Sequence, residues 1–126
     1  MLEMGLNEYQ ERAMETCLPE SENFAYMFLN LVGELGELSS KVGKMIRKGQ
    51  MELSENELLP CGGELGWDGW KEFERELRLE AGDVLWQLSG LCSVMGWSLD
   101  DVAVENLAKL SSRKDRGVID GEGDER

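Results

Sequence analysis

The sequence predicts an all-α, four-helix bundle-like domain, and three observations carry that reading. Apolar residues recur at three- and four-residue steps over long stretches, cap-type residues open those stretches, and no apolar–polar alternation of strand length stands out. Only Pro19 and Pro60 interrupt 126 residues, a length that suits one domain over residues 1–126 with one ordinary core.

The elements follow in order. Asn7 and Gln10 resemble a capping box, which predicts a short first helix from about Glu8 to Cys17, ended by Pro19. Ser21 or Asn23 caps a long second helix from about Phe24 to Lys48, with Gly49 as its stop. Its core stripe is Phe24, Phe28, Leu31, Leu35, Leu38, Val42 and Met45. Residues 50–70, "QMELSENELLPCGGELGWDGW", mix glycine, proline and acidic residues and read as a long surface connection with one helical turn at Ser54–Leu59. A third helix runs from near Lys71 to Val94, before Gly96. Ser98 with Asp101 caps a fourth, reaching roughly Arg116. Residues 117–126, "GVIDGEGDER", form a glycine-rich charged tail, either disordered or docked.

Charge narrows the function. With 26 acidic and 13 basic residues, a net charge of −13 disfavours long nucleic acid as a partner, whereas a small phosphate remains accessible if cations bring it in. The chain has no histidine, so a general base must be a carboxylate, a lysine or a metal-bound water. Cys17, Cys61 and Cys92 form neither a disulfide framework nor a zinc pattern, and a reducing cytoplasm is the simplest setting. No secretory signal or membrane-length apolar run is present, so no membrane partner is expected.

The second helix carries "GELGEL", with Glu34 and Glu37 one turn apart. On a 3.6-residue wheel, Asn30, Glu34, Glu37, Lys41, Lys44 and Lys48 lie on the flank beside the apolar stripe, not on the far face. Alone, such a pair is most economically explained by surface ion pairs with Lys41. The third helix alters the balance, because "RLEAGDVLWQL" sets Glu80 and Asp83 one turn apart on a matching flank, extended by Glu76 and Gln87. If the two helices pack antiparallel, four carboxylates converge and repel unless cations intervene. All-oxygen donors suit Mg²⁺ or Mn²⁺, and the missing histidine argues against a di-iron bundle. Gly33 and Gly36 leave room beside the glutamates for a ligand or another backbone. On the fourth helix Asn106, Lys109, Arg113 and Arg116 share one flank, where phosphate oxygens can bind.

These residues resemble the MazG-like all-α nucleoside triphosphate pyrophosphohydrolases. The match is an ExxE at Glu34 and Glu37, an ExxD at Glu80 and Asp83 in "LEAGDVLW", then Asn106 and Lys109 in "NLAKL", over about residues 6–120. The resemblance implies Mg²⁺-dependent cleavage of a nucleoside triphosphate between its α and β phosphates. It implies Glu34, Glu37, Glu80 and Asp83 as metal ligands, with Lys109 offsetting phosphate charge and Asn30, Lys44, Asn106 and Arg113 on the substrate. It also implies a homodimer or homotetramer whose helices together enclose the site. Trp67 and Trp70 either stack on a nucleobase or anchor their loop. A non-catalytic nucleotide- or protein-binding module on the same scaffold is the competing class.

Overall fold

The computed structural model describes residues 3–125, most of them helical. Helix α1 spans Leu6–Met14, a 3-10 turn covers Pro19–Ser21, and α2 spans Phe24–Arg47. A two-stranded hairpin follows, β1 at Met51–Ser54 and β2 at Glu57–Pro60, before α3 at Gly66–Val94 and α4 at Leu99–Asp115. The four expected helices are present.

The hairpin replaces the helical turn expected at Ser54–Leu59. Met51 pairs with Pro60 and Ser54 with Glu57, so the turn has two residues, Glu55 at φ +50° and Asn56 at φ +70°. Two left-handed residues match the twist of antiparallel strands, and asparagine tolerates that conformation better than most. Four-residue strands are too short for their alternation to register in the sequence. Met51, 1% exposed, anchors the hairpin on the end of α2.

Helix α3 also begins five residues before Lys71. Its extra turn brings the Trp70 ring to 6.3 Å from that of the buried Phe73, and Asp68 complements the helix dipole. That packing outweighs the cost of Gly69 inside the helix.

Asn7 and Gln10 do cap a helix, but not their own. Helix α1 has Gly5 at its N-cap and no side-chain cap. Instead the Leu99 N–H donates to Gln10 Oε1 at 2.9 Å, the Asp100 N–H to Asn7 Oδ1 at 3.0 Å, and the Asp101 N–H to Ser98 Oγ at 3.1 Å. The first three orphan donors of α4 are thus met by side chains, two of them from α1. Gln10 Nε2 meanwhile donates to Ser93 Oγ and to the Trp97 carbonyl, both at 2.9 Å, tying α1 to the α3–α4 corner. At the other end of α1, Trp86 Nε1 donates to the Ala13 carbonyl and to Thr16 Oγ1.

Helices α2 and α3 form the main packed pair, and their numbering runs oppositely, Met27 against Gly90 and Lys41 against Glu76 and Glu80. Met27 is wholly buried, and a Cβ on Gly90 would collide with its Sδ and Cε. The α2 stripe is only partly packed: Leu31, Leu38, Val42 and Met45 are half-buried, while Phe24, Phe28 and Leu35 are exposed. The reason is that α4 packs on α1 and has no extensive contact with α2 or α3. One chain therefore leaves a surface of 9230 Å², roughly 2,400 Å² more than the about 6,800 Å² of a compact monomer this long.

Gln10→Ala should lower the unfolding free energy in urea by about 2–4 kcal/mol, because it strands the buried Leu99 N–H and the Trp97 carbonyl. Asn7→Ala, at an exposed cap, should lower it by only about 0.5–1 kcal/mol.

Candidate metal centre

The antiparallel pairing of α2 and α3 turns the two acidic flanks toward each other. Glu34, Glu37 and Glu80 each offer a carboxylate oxygen, and those oxygens lie within 4.8 Å of one another. Glu34 and Glu80 are half-buried, and the Oε2 of each is buried with no hydrogen-bond partner. Burial, then the negative charges of Glu37, Asp83 and Glu80, push the Glu34 carboxyl above its ordinary 4.5. Asp83 stands outside the tight trio but close enough for its charge to reach Glu34.

Lys41 does not pair with Glu34 or Glu37, as the surface explanation requires. Its Nζ crosses to Glu80 at 3.6 Å and Glu76 at 3.8 Å, and no described residue forms an ion pair with Glu34 or Glu37. Lone pairs buried without donors in a like-charged cluster fit a bound divalent cation, and the all-oxygen donor set selects a hard one. Gly33 and Gly36 face open space, since a Cβ on either would meet nothing within 4 Å. Packing within the chain does not require them.

The remaining candidates lie apart from the trio. Asn30 donates its Nδ2 to the Tyr26 carbonyl one turn back on α2. Lys44 lines a groove with Lys41, Lys48, Phe73 and Glu76 further along α2. Asn106, Lys109 and Arg113 ride on α4, which one chain does not bring against the carboxylates. There Lys109 Nζ and Arg113 Nη2 hold the Asp124 carboxylate at 3.1 and 3.0 Å, keeping its carboxyl below the ordinary range. Trp67 and Trp70 line a separate pocket with Pro60 and Leu65, and Trp70 precedes Glu80 by about 15 Å of helix. Trp70 anchors its segment on Phe73, whereas Trp67 is exposed beneath the Lys71 ammonium, 4.7 Å from its ring centroid.

Sequence reasoning overlooked Tyr9. This half-buried residue of α1 borders Asp83, and its hydroxyl pKa is raised by burial and by that carboxylate. Nothing in the sequence signals it, because the register of α1 on α3 is set by the distant Gln10 and Trp86 bonds.

Helices carrying ExxE and ExxD pairs, packed antiparallel so that carboxylates share a groove, define an all-α protein with a carboxylate cluster that could hold a divalent cation. Comparison with known proteins makes the class specific. The chain matches the MazG nucleotide pyrophosphohydrolase domain model over residues 22–118, and it belongs to that family. It is also 33% identical over 130 residues to the Gene 37 protein of Mycobacterium phage L5, an alignment covering 98% of this chain and all of the phage protein. No solved structure matches it. Helix α1, with Tyr9, precedes the part matched by the family model but lies within the alignment to the phage protein.

Since folding raises the Glu34 pKa, the protonated form stabilises the metal-free protein below pH 4.5, and that contribution is lost as pH rises through the folded-state value. Glu34→Gln should therefore melt above the parent at neutral pH without metal, a gap that closes below pH 4.5. The same substitution should remove the rise in melting temperature that Mg²⁺ gives the parent, as differential scanning fluorimetry would show.

Proposed function

We propose that the protein is a Mg²⁺-dependent nucleotide pyrophosphohydrolase, converting a (deoxy)nucleoside triphosphate to the monophosphate and pyrophosphate. The observation that supports it most is the trio of glutamates, two with unpartnered buried oxygens, on the family's ExxE and ExxD positions. Glu34, Glu37 and Glu80, with Asp83 beside them, would hold the cation, for which Mn²⁺ would be a substitute. When bound, it neutralises phosphate charge and acidifies water. In the reaction a water oxygen bonds to the α or the β phosphorus, the bond from that phosphorus to the bridging oxygen breaks, and the bridging oxygen stays with the other product. With no histidine in the chain, one of the four carboxylates accepts the water proton.

Lys109, Arg113 and Asn106, with Lys44 and Asn30 nearer the carboxylates, bind phosphate or sugar oxygens. We read the α4 residues that complete a site as coming from a second copy, a reading supported by the lack of extensive contact between α4 and α2 or α3 in one chain. The exposed apolar residues Leu29 and Val32 on α2, and Val104 and Leu107 on α4, support a homodimer or homotetramer, and the excess surface is of the size an obligate interface buries. A cytoplasmic setting accords with three free cysteines, and no helix among the described residues is long and apolar enough to cross a membrane.

A second reading, a nucleotide-binding module without turnover, draws on Lys41, whose ammonium already offsets part of the Glu80 charge. Calorimetry showing tight nucleotide binding with no product would favour it.

A nucleotide panel should release pyrophosphate with Mg²⁺ and none with chelator, and absence of product with every nucleotide would end the hydrolase reading. Glu37→Gln and Asp83→Asn should each cut kcat at least about 100-fold with melting temperature preserved. Leu107→Lys should shift light-scattering mass toward the monomer and reduce activity in step.

A further inference from the structure

The tail after α4 does not trail into solvent. The Gly117 amide returns to the Lys114 carbonyl and that of Val118 to Arg113, closing the helix, and a turn from Val118 to Gly121 reverses the chain. Gly123, at φ +79°, then directs Asp124 back onto α4, a conformation that other residues adopt only with strain. The carboxylate Oδ1 of Asp124 sits between Lys109 Nζ and Arg113 Nη2. The same Nη2 also meets the Gly123 and Asp124 carbonyls at 3.3 and 3.2 Å.

We propose that the C-terminal tail is an internal competitor, with Asp124 occupying the polyphosphate-binding cations Lys109 and Arg113 until a polyphosphate anion displaces it. The inference rests on reading those two residues as phosphate-side groups of the proposed hydrolase. The closed arrangement is poised for release because it serves Arg113 badly. Arg113 is 5% exposed, three acceptors crowd one of its nitrogens, and its Nε is buried without a partner. A phosphate group, with several oxygens around one centre, can engage Nε and Nη together, as one carboxylate oxygen does not. The Asp124 side chain itself is 83% exposed, so little of its own surface is packed. The tail also carries Asp120, Glu122 and Glu125, which repel an incoming anion while the tail lies on α4.

The test uses the full chain and inorganic tripolyphosphate, without metal, by titration calorimetry. Asp124→Asn, which loses ion pairs to the exposed Lys109 and the buried Arg113, should bind tripolyphosphate about 2- to 10-fold more tightly than the parent. Glu122→Gln removes the same charge without touching the cations and should move affinity less. In ¹H–¹⁵N spectra of the parent, tripolyphosphate should carry the Gly121 and Asp124 amides to random-coil positions. Unchanged or weaker binding by Asp124→Asn, an equal gain in Glu122→Gln, or an unmoved tail would each overturn the latch. With nucleotide, Asp124→Asn should lower KM and leave kcat unchanged. If no nucleotide is hydrolysed, the hydrolase reading fails while the tripolyphosphate titration still decides the latch.

Discussion

Met27 lies wholly buried against Gly90, where the absence of a side chain lets α2 approach α3 closely. That contact sets the register of the long helix pair. Counted from it in opposite directions, Glu34 falls opposite the turn carrying Glu80 and Asp83, and Lys41 falls opposite Glu76. A slip of one residue would rotate the acidic flanks apart by about 100°. The carboxylate groove is thus a consequence of apolar packing about two to three turns away. Its internal repulsion is tolerated because the helices are fixed elsewhere.

Stability and chemistry draw on different parts of the chain. The hairpin, the Trp70–Phe73 contact and the α1 clamp supply order, while the groove keeps unpaired charge and the outer faces of α2 and α4 keep apolar surface bare. The proposed cation would relieve the first deficit and the proposed second copy the second.

Much of this was legible in the sequence, and the failures have physical causes. Helical periodicity and the Ser98 and Asn23 caps placed four helices, and both caps make the expected bonds. The one-turn spacing of Glu34 with Glu37 and of Glu80 with Asp83 located the acidic groove. The hairpin was missed because its turn relies on two left-handed residues of which only Asn56 is a typical choice. Asn7 and Gln10 were assigned to the wrong helix because a capping pattern does not say which amides it will meet. Tyr9 was invisible for a similar reason, since its neighbour Asp83 is 74 positions away along the chain. Local chemistry reads well from sequence; partners across the fold do not.

The exchange of caps between α1 and α4 bears on how the molecule assembles. Gln10 and Leu99 are 89 positions apart, so their bond closes a loop spanning most of the chain and carries a large entropy of closure. The α2–hairpin–α3 unit consists of neighbours in sequence and can form early. Helix α4, two of whose first amides are met only when α1 docks, is expected to join after that unit. The basic flank of α4 therefore takes up its position only on a frame already built.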